Sequence, residues 1–344
     1  MPQGRFFISE KNTKFVAQIS QAGMVNILIN DGICPEGEAI LRKAGFHIHN
    51  QKIEQTELIS EINHRQIDAL IVRSATAVTR EVIDACPTLK LLGRAGLGMN
   101  NIDMEYASRK GIAIVNTPDS SAPALAEMVI AHLFSVSRNL FRGNRELPAE
   151  TEIFRMKKEC AGGTELTGKT MGIVGFGRVG QEVAKRALGL GIKVLAYDPY
   201  VKEANLKLEI PGVHNVVANI HTIPLQDVFS SSDIISLHVP VPADGKPFVS
   251  RKEFSMMKQG VIIINVSKSG LIDELELISA LNTGKVRAAG LDVFQNEPSP
   301  LPALLTHPRI SVSPHIGAET QEAQTRIGIE LAEYIVRFFN DLKH

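Results

Sequence analysis

The sequence predicts an α/β protein of two parallel-sheet domains, one inserted into the other. Three observations lead there. Short apolar segments alternate with amphipathic ones through most of the 344 residues, as strands joined by helical crossovers do. A glycine turn, Gly175-Phe-Gly177-Arg-Val-Gly180, stands between an apolar segment and an amphipathic one. The last helical segment, Ala318 to Phe339, follows the second domain without partner strands of its own, so it is expected to return to the first. The expected division is 24–118 with 313–344 for a discontinuous first domain and 119–312 for the insert.

Taken in order, Val25 to Asn30 reads as a strand, Pro35 to Ala44 as a helix stopped by Gly45, and Phe46 to His49 as a strand. Gln55 to Ile62 reads as a helix, Ala69 to Val72 as a strand ending on Arg73, and Leu89 to Leu92 as a strand entering Gly93-Arg-Ala-Gly96-Leu-Gly98. Met104 to Arg109 is a helix and Ile112 to Val115 a strand. Ala124 to Arg142 reads as one long helix into the second domain, and Gly143 to Gly168 as an irregular polar segment. Strand–helix units are then expected around Val213 to Ala218, Ile234 to Val239, Val261 to Val266 and Val286 to Leu291, with a short apolar segment at Ile310 to Val312.

Composition narrows the function. Lys plus Arg and Asp plus Glu each number 37, so the formal charge is zero and nothing favours nucleic acid or a membrane surface. Cys34, Cys86 and Cys160 are scattered and odd in number, which fits a reducing, cytoplasmic setting and gives no metal spacing. No uncharged apolar run reaches the ~18 residues of a membrane helix. Residues 1–23 are polar and basic without a clear period. A transit peptide is one reading, but arginine is scarce there, and a disordered extension, tag remnant or early start codon is preferred.

The turn at 175–180 carries the first chemical signal. In such a turn the first glycine permits the bend, the second lets backbone approach a pyrophosphate, and the third lets helix pack on strand. The helix N-terminus then offers free N–H groups to the phosphates. Asp198, 18 residues past Gly180, ends the next strand. A carboxylate there accepts from ribose hydroxyls and repels a 2′-phosphate, so the expected cofactor is NAD, on a Rossmann domain.

Three further segments follow strands and can face the same crevice: Asn265 to Asp273, Leu291 to Pro298 and Pro314 to Gly317. With these the sequence resembles the D-2-hydroxyacid dehydrogenases. The resemblance is carried by Val72-Arg73-Ser74-Ala-Thr76, Gly93-Arg94-Ala-Gly96-Leu97-Gly98, Asn116-Thr-Pro118, the glycine turn, His238-Val-Pro240, Leu291-Asp292-Val-Phe and Pro314-His315-Ile-Gly317, in that order from about 24 to 344. The Arg-Ser-Ala-Thr and Gly-Arg-Ala-Gly segments most resemble the phosphoglycerate dehydrogenase branch.

The resemblance implies a catalytic pair of His315 and Glu297. The chemistry supports it independently. A hydroxyl that loses hydride must also lose its proton, histidine with its ordinary pKa near ~6.5 exchanges protons at neutral pH, and a carboxylate fixes its tautomer. Where the family pattern has arginine, this chain has Lys268, which offers a compact charge rather than a planar fork. Some short members of the phosphoglycerate dehydrogenase group resemble it in this, so the role of holding the substrate and polarising its carbonyl is carried to Lys268.

The resemblance also assigns the N–H groups of Gly96, Leu97 and Gly98 to the substrate carboxylate. Arg73 with Ser74 is placed by sequence to take a phosphate. Arg94 is either structural or reaches the same ligand. Arg155, Lys157 and Lys158 read as a solvated basic turn, with a contact across a dimer as the alternative. Cofactor contacts are expected from Gly175, Gly177, Arg178, Val179, Gly180, Asp198, His238, Val239, Pro240, Val266, Ser267, Asp292, His315 and Gly317.

The expected reaction is oxidation of 3-phospho-D-glycerate by NAD, with no metal, in a homodimer built around the helix near 124–142. The chain is expected to lack the C-terminal regulatory domains of longer relatives. A hydroxypyruvate or glyoxylate reductase is the alternative, and an NAD-sensing binding protein the alternative from another class. His47, His49, His64, His132, His214, His221 and His307 lack catalytic company and read as structural or surface residues.

Overall fold

The computed structural model describes residues 24–96, 98–99, 101–117, 119–149 and 152–341. The expectations for residues 1–23 and for Leu97 lie outside the described residues. The chain forms two compact units, one of the residues up to Ser121 with Ala318 onward, the other Ala122–Gly317.

The first unit is built on β1 (Asn26–Ile29), α1 (Pro35–Lys43), β2 (His47–Asn50), α2 (Leu58–His64), β3 (Ala69–Val72), α3 (Arg80–Ala85), β4 (Leu91–Arg94), α4 (Met104–Arg109) and β5 (Ala113–Asn116). Its sheet is parallel in the order β2-β1-β3-β4-β5. All of β3 is buried, as a strand covered on both faces must be. Cys34 caps α1, Pro35 opens it, acids fill its first turn and bases its last, so the sequence matches the helix dipole at both ends. Near the far end of the chain, the long helix Gln321–Asp341 packs on α1, β4 and β5 of this same sheet. A Cβ at Gly37 would stand 2.6 Å from the Gly328 carbonyl oxygen, so two glycines allow that helix contact.

The second unit begins with α5 (Ala122–Ser137), α6 (Leu140–Glu146), a 3₁₀ turn (Leu147–Ala149) and α7 (Ile153–Glu159). The long helix expected to Arg142 therefore breaks. Asn139 takes a left-handed conformation (φ 54°) and its side-chain amide donates to the Cys160 carbonyl at 3.0 Å. The segment read as irregular carries α7.

Then come β6 (Thr170–Val174), α8 (Arg178–Gly189), β7 (Lys193–Tyr197), β8 (Glu203–Ile210), β9 (Val213–His221), α9 (Leu225–Ser231) and β10 (Ile234–Leu237). They are followed by α10 (Arg251–Met256), β11 (Val261–Asn265), α11 (Glu274–Asn282), β12 (Val286–Leu291), α12 (Pro302–Leu305) and β13 (Ile310–Val312), and the long helix of the first unit is α13. The main sheet is parallel in the order β13-β12-β11-β10-β6-β7. The strand expected at Val213 to Ala218 is not part of a strand–helix crossover. It belongs to β9, which forms a separate antiparallel hairpin with β8. Half-exposed alternation on both strands fits a ribbon with one open face.

The strand order reverses between β6 and β10, which opens a crevice at their carboxyl ends. The second unit runs to Gly317 rather than to 312. The Asp292 carboxylate ties the backbone of 316 and 317 to the end of β12.

Candidate active site

At the reversal point the three glycines of the turn divide their work as the spacing requires. Gly175 has φ +97°, and a Cβ there would lie 2.5 Å from the His238 carbonyl at the end of β10. A Cβ on Gly180 would overlap the Gly175 carbonyl oxygen, so helix α8 can sit against the turn only without a side chain. Gly177, the N-cap of α8, faces open space and no side chain caps the helix. An open cradle with uncapped helix N–H groups fits a pyrophosphate. Arg178 and Val179 open α8 beside it.

Asp198 lies past the end of β7. One carboxylate oxygen accepts the Phe176 N–H of the turn at 2.7 Å, and the other accepts Tyr200 N–H at 2.8 Å and Val201 N–H at 3.0 Å. It thus fixes the glycine turn from the position where the sequence expects the ribose. Each oxygen has two lone pairs, so the oxygen that accepts Phe176 N–H keeps one for a hydroxyl donor.

His238 is held at both ring nitrogens, by Ser236 Oγ at 2.8 Å and Ser267 Oγ at 3.0 Å. Burial pushes its pKa down to about 3, so the ring is neutral and cross-links the ends of β10 and β11. Val239 and Val266 are buried, Ser267 is half-buried and Pro240 exposed.

Three neighbouring strands carry the candidate reacting groups. Register pairs Asn265 with Leu291 and Leu291 with Val312, so β11, β12 and β13 end side by side. Adjacent strands lie ~4.8 Å apart, which brings together loops distant in sequence. Beyond β11, Asn265 fixes the Lys268 segment: its amide donates to the Lys268 carbonyl at 2.9 Å and its oxygen accepts Ser267 N–H at 3.2 Å. Beyond β12, Glu297 accepts the Phe294 N–H at 2.9 Å through one oxygen. Its other oxygen lies 2.7 Å from His315 Nδ1.

With Glu297 ionised, His315 Nδ1 donates to it and Nε2 is left to exchange a proton with a substrate. The imidazole is 60% exposed, so that nitrogen is open to a ligand. Glu274, nearly buried at the start of α11, accepts Gln295 N–H at 2.7 Å and steadies the same loop. Its pKa is raised, chiefly by burial, with Asp273 and Glu297 adding to it.

Asp292 does more than its sequence position suggests. It is fully buried. It accepts Ser313 Oγ–H at 2.5 Å, Ile316 N–H at 2.9 Å and Gly317 N–H at 2.8 Å. These bonds bracket His315, which takes a left-handed backbone (φ 57°) that a non-glycine residue seldom adopts. A Cβ at Gly317 would stand 2.9 Å from Asp292 Oδ2, so only glycine lets the carboxylate close on the loop. His132, read as structural or surface, is structural. It is buried on α5 between Ser311 Oγ (3.0 Å) and Ser313 Oγ (2.9 Å), behind Asp292. The missed signal is in the pattern: His132 falls on the buried stripe of Val129, Leu133 and Val136, and Ser311 and Ser313 stand two residues apart, on β13 and just past its end.

In the first unit, Arg73 follows β3 and Arg94 ends β4. Arg73 Nη2 donates to both oxygens of Glu319, at 2.5 and 2.6 Å. Ser74 is exposed. The Arg73–Thr76 loop is fastened by Asp31, which accepts from Arg73 N–H (2.7 Å), Thr76 N–H (3.2 Å), Thr76 Oγ (2.8 Å) and Lys52 Nζ (2.6 Å). Burial works to raise the Asp31 pKa, but Lys52 and the loop donors together hold it below the usual carboxylate value.

Gly96 has φ +125°, and a Cβ there would overlap Arg94 Nη1, so the turn and the arginine are in contact. Its N–H is taken by Thr117 Oγ at 3.1 Å. That donor is therefore not spare for a carboxylate, whereas Gly98 lies half-exposed. Among the described residues no cluster of three acids, histidines or cysteines could hold a metal, and no helix is long and apolar enough to cross a membrane.

An NAD-type cradle and a histidine–carboxylate pair on one parallel sheet define a dehydrogenase class. Residues 130–317 match the family model for the D-isomer specific 2-hydroxyacid dehydrogenase, NAD binding domain. The chain is 40% identical over 313 residues to a hydroxypyruvate reductase of Thermotoga maritima, covering 90% of this chain and 96% of that one. It is 38% identical to a D-3-phosphoglycerate dehydrogenase of Methanocaldococcus jannaschii, covering 91% of this chain but 57% of that longer one. The solved NAD⁺-bound 3-phosphoglycerate dehydrogenase of Entamoeba histolytica superposes with a TM-score of 0.71 at 26% identity, covering 93% of this chain and 96% of that one. The chain belongs to the D-isomer specific 2-hydroxyacid dehydrogenases, and its cofactor is NAD.

Proposed function

We propose that the protein interconverts 3-phospho-D-glycerate and 3-phosphohydroxypyruvate, the entry to serine synthesis. The observation that carries this reading is the pair Arg73 and Arg94 at neighbouring strand ends beside the Gly96 turn. Two guanidiniums suit a phosphomonoester, which has a charge of about −1.5 to −2 and three acceptor oxygens. NAD supplies the hydride acceptor when bound. His315 takes the hydroxyl proton through Nε2, and Glu297 steadies the imidazolium that results. Lys268 provides positive charge where alkoxide develops. The reverse direction uses the same groups with the proton returned.

A second reading is a hydroxypyruvate reductase. It draws on the 40% identity across nearly all of the Thermotoga protein and on the fact that Arg73 already has a carboxylate partner. NADH oxidation measured on a panel of 2-keto acids separates the two. Arg73→Ala should lower kcat/KM for phosphohydroxypyruvate at least tenfold more than for hydroxypyruvate; equal losses would remove Arg73 from phosphate recognition.

Assembly as a homodimer belongs to the same proposal. Phe134, Leu140, Leu147, Ile153 and Phe154 are exposed on α5 to α7, and Phe154 is 82% exposed. Apolar surface gathered in one region is usually covered by a partner. Sedimentation of a monomer at micromolar concentration would remove this part.

A further inference from the structure

The ion pair between Arg73 and Glu319 is an arrangement that the reaction does not need. Arg73 is the residue offered to the substrate's phosphate, yet a carboxylate of the same unit is bound to it by two hydrogen bonds, 2.5 and 2.6 Å long. The two side chains are 30% and 44% exposed. A pair this open contributes little to stability, because water solvates both charges well when they part. Glu319 lies two residues before α13, on a side chain with three free torsions. Among the described residues its carboxylate accepts no other hydrogen bond.

The surroundings explain why an anion sits there. Arg94 lies alongside, with its pKa lowered first by burial and then by Arg73, while Asp31 and Glu319 act the other way. Among the described residues its guanidinium donates only to the Ala95 carbonyl, and its buried Nε has no partner. Asp31 cannot neutralise these guanidiniums directly, since both its oxygens are engaged by Lys52 and the 73–76 loop. Without Glu319 neither guanidinium would have a carboxylate bonded to it.

We propose that Glu319 is a specificity-determining residue: an internal counter-anion that occupies Arg73 in the substrate-free protein and must be displaced by the phosphate of a phosphorylated substrate. This rests on the proposed 2-keto acid reductase activity. Glu319 thereby lowers the preference for phosphorylated over unphosphorylated 2-keto acids. It also shields the arginine pair from free phosphate in solution. Because the competitor is tethered, it acts at a high and constant effective concentration.

The test measures NADH oxidation with phosphohydroxypyruvate and with hydroxypyruvate, and binding of inorganic phosphate by titration calorimetry. Glu319→Gln should raise the ratio of kcat/KM for the phosphorylated over the unphosphorylated acid by up to roughly fivefold, the upper end of what a half-exposed ion pair is worth. Glu319→Asp, one methylene too short for the same contact, should move the ratio in the same direction. Inorganic phosphate should bind Glu319→Gln more tightly than the wild type. All three changes should vanish in an Arg73→Ala background. A ratio that stays constant or falls in Glu319→Gln, or a rise that survives without Arg73, overturns the proposal. If the wild type reduces neither acid, the proposed function fails, while the phosphate titration still judges Glu319 on its own.

Discussion

In the second unit, Asp292 is fully buried and its carboxylate closes on the loop that carries His315. In the first unit, Asp31 closes on the loop that carries Arg73; its side chain is also nearly buried, but it shares its charge with Lys52, which is half-exposed. Both carboxylates collect backbone N–H groups at the end of a parallel strand. The difference lies in what they hold. Asp292 fixes a strained histidine whose one partner, Glu297, is itself pinned to Phe294. Asp31 fixes a backbone whose arginine points to an exchangeable carboxylate. A proton donor needs one geometry in every turnover, so rigidity serves it. A recognition arginine must release one anion to receive another, so solvent access serves it.

The largest effect should follow from removing the proton carrier. His315→Ala should lower kcat by about 10²–10⁴-fold, the span of general acid–base catalysis, with NADH binding nearly intact. Fluorescence titration of NADH alongside stopped-flow turnover checks both halves. Full activity in that variant would remove His315 from the mechanism. Glu297→Gln should fall between it and the wild type, since an amide can hold the ring but cannot stabilise the imidazolium.

Cutting the two loop-fastening carboxylates tests the comparison itself. Asp292→Ala leaves two N–H groups and a hydroxyl unsatisfied in a buried site, each costing about 1–3 kcal/mol. It should lower both the unfolding midpoint in urea and kcat. Asp31→Ala frees the half-exposed Lys52 to water but leaves the loop N–H groups without their acceptor, and should also lower stability. Its kinetic signature should be a raised KM for the phosphorylated acid with kcat little changed. Equal kinetic signatures for the two variants would mean that the loops are not specialised in this way.

How far the sequence revealed these arrangements depended on distance along the chain. The glycine turn and Asp198 were legible because their geometry is local: each glycine's task follows from its place in one strand–turn–helix unit. Glu297 and His315 are 18 residues apart and were linked through the family motif rather than by spacing. Their meeting depends on β12 and β13 being neighbours, which periodicity does not state.

Asp292 read as a cofactor contact because a strand-end acid can face either the crevice or the loop behind it, and sequence does not say which. Glu319 was not singled out at all. It lies 246 residues from Arg73 and looks like an ordinary acid before a helix. The β8–β9 hairpin escaped notice because the Glu203–Ile210 segment, with only Leu206 fully buried, carries too few apolar residues to resemble a core strand.

The smallest effect expected is on acid stability, and it separates the units by pH. His238 in the second unit has its folded pKa pushed to about 3, well under the ordinary histidine value of 6.5. Between those values the unfolded chain binds a proton that the folded protein refuses, so stability falls as pH drops through that window, by at most about 1.4 kcal/mol per pH unit. Asp31 in the first unit is depressed below 3.8, so its contribution is complete above that value and disappears only as pH falls further. Urea unfolding at pH 7, 6, 5 and 4.5 should therefore give a flatter pH dependence in His238→Gln than in the wild type. Asp31→Asn should lower stability by a constant amount across the same range. A wild-type slope kept in His238→Gln would show that this imidazole takes up its proton alike in the folded and unfolded chain, and the serine-bridged link between β10 and β11 would need a different account.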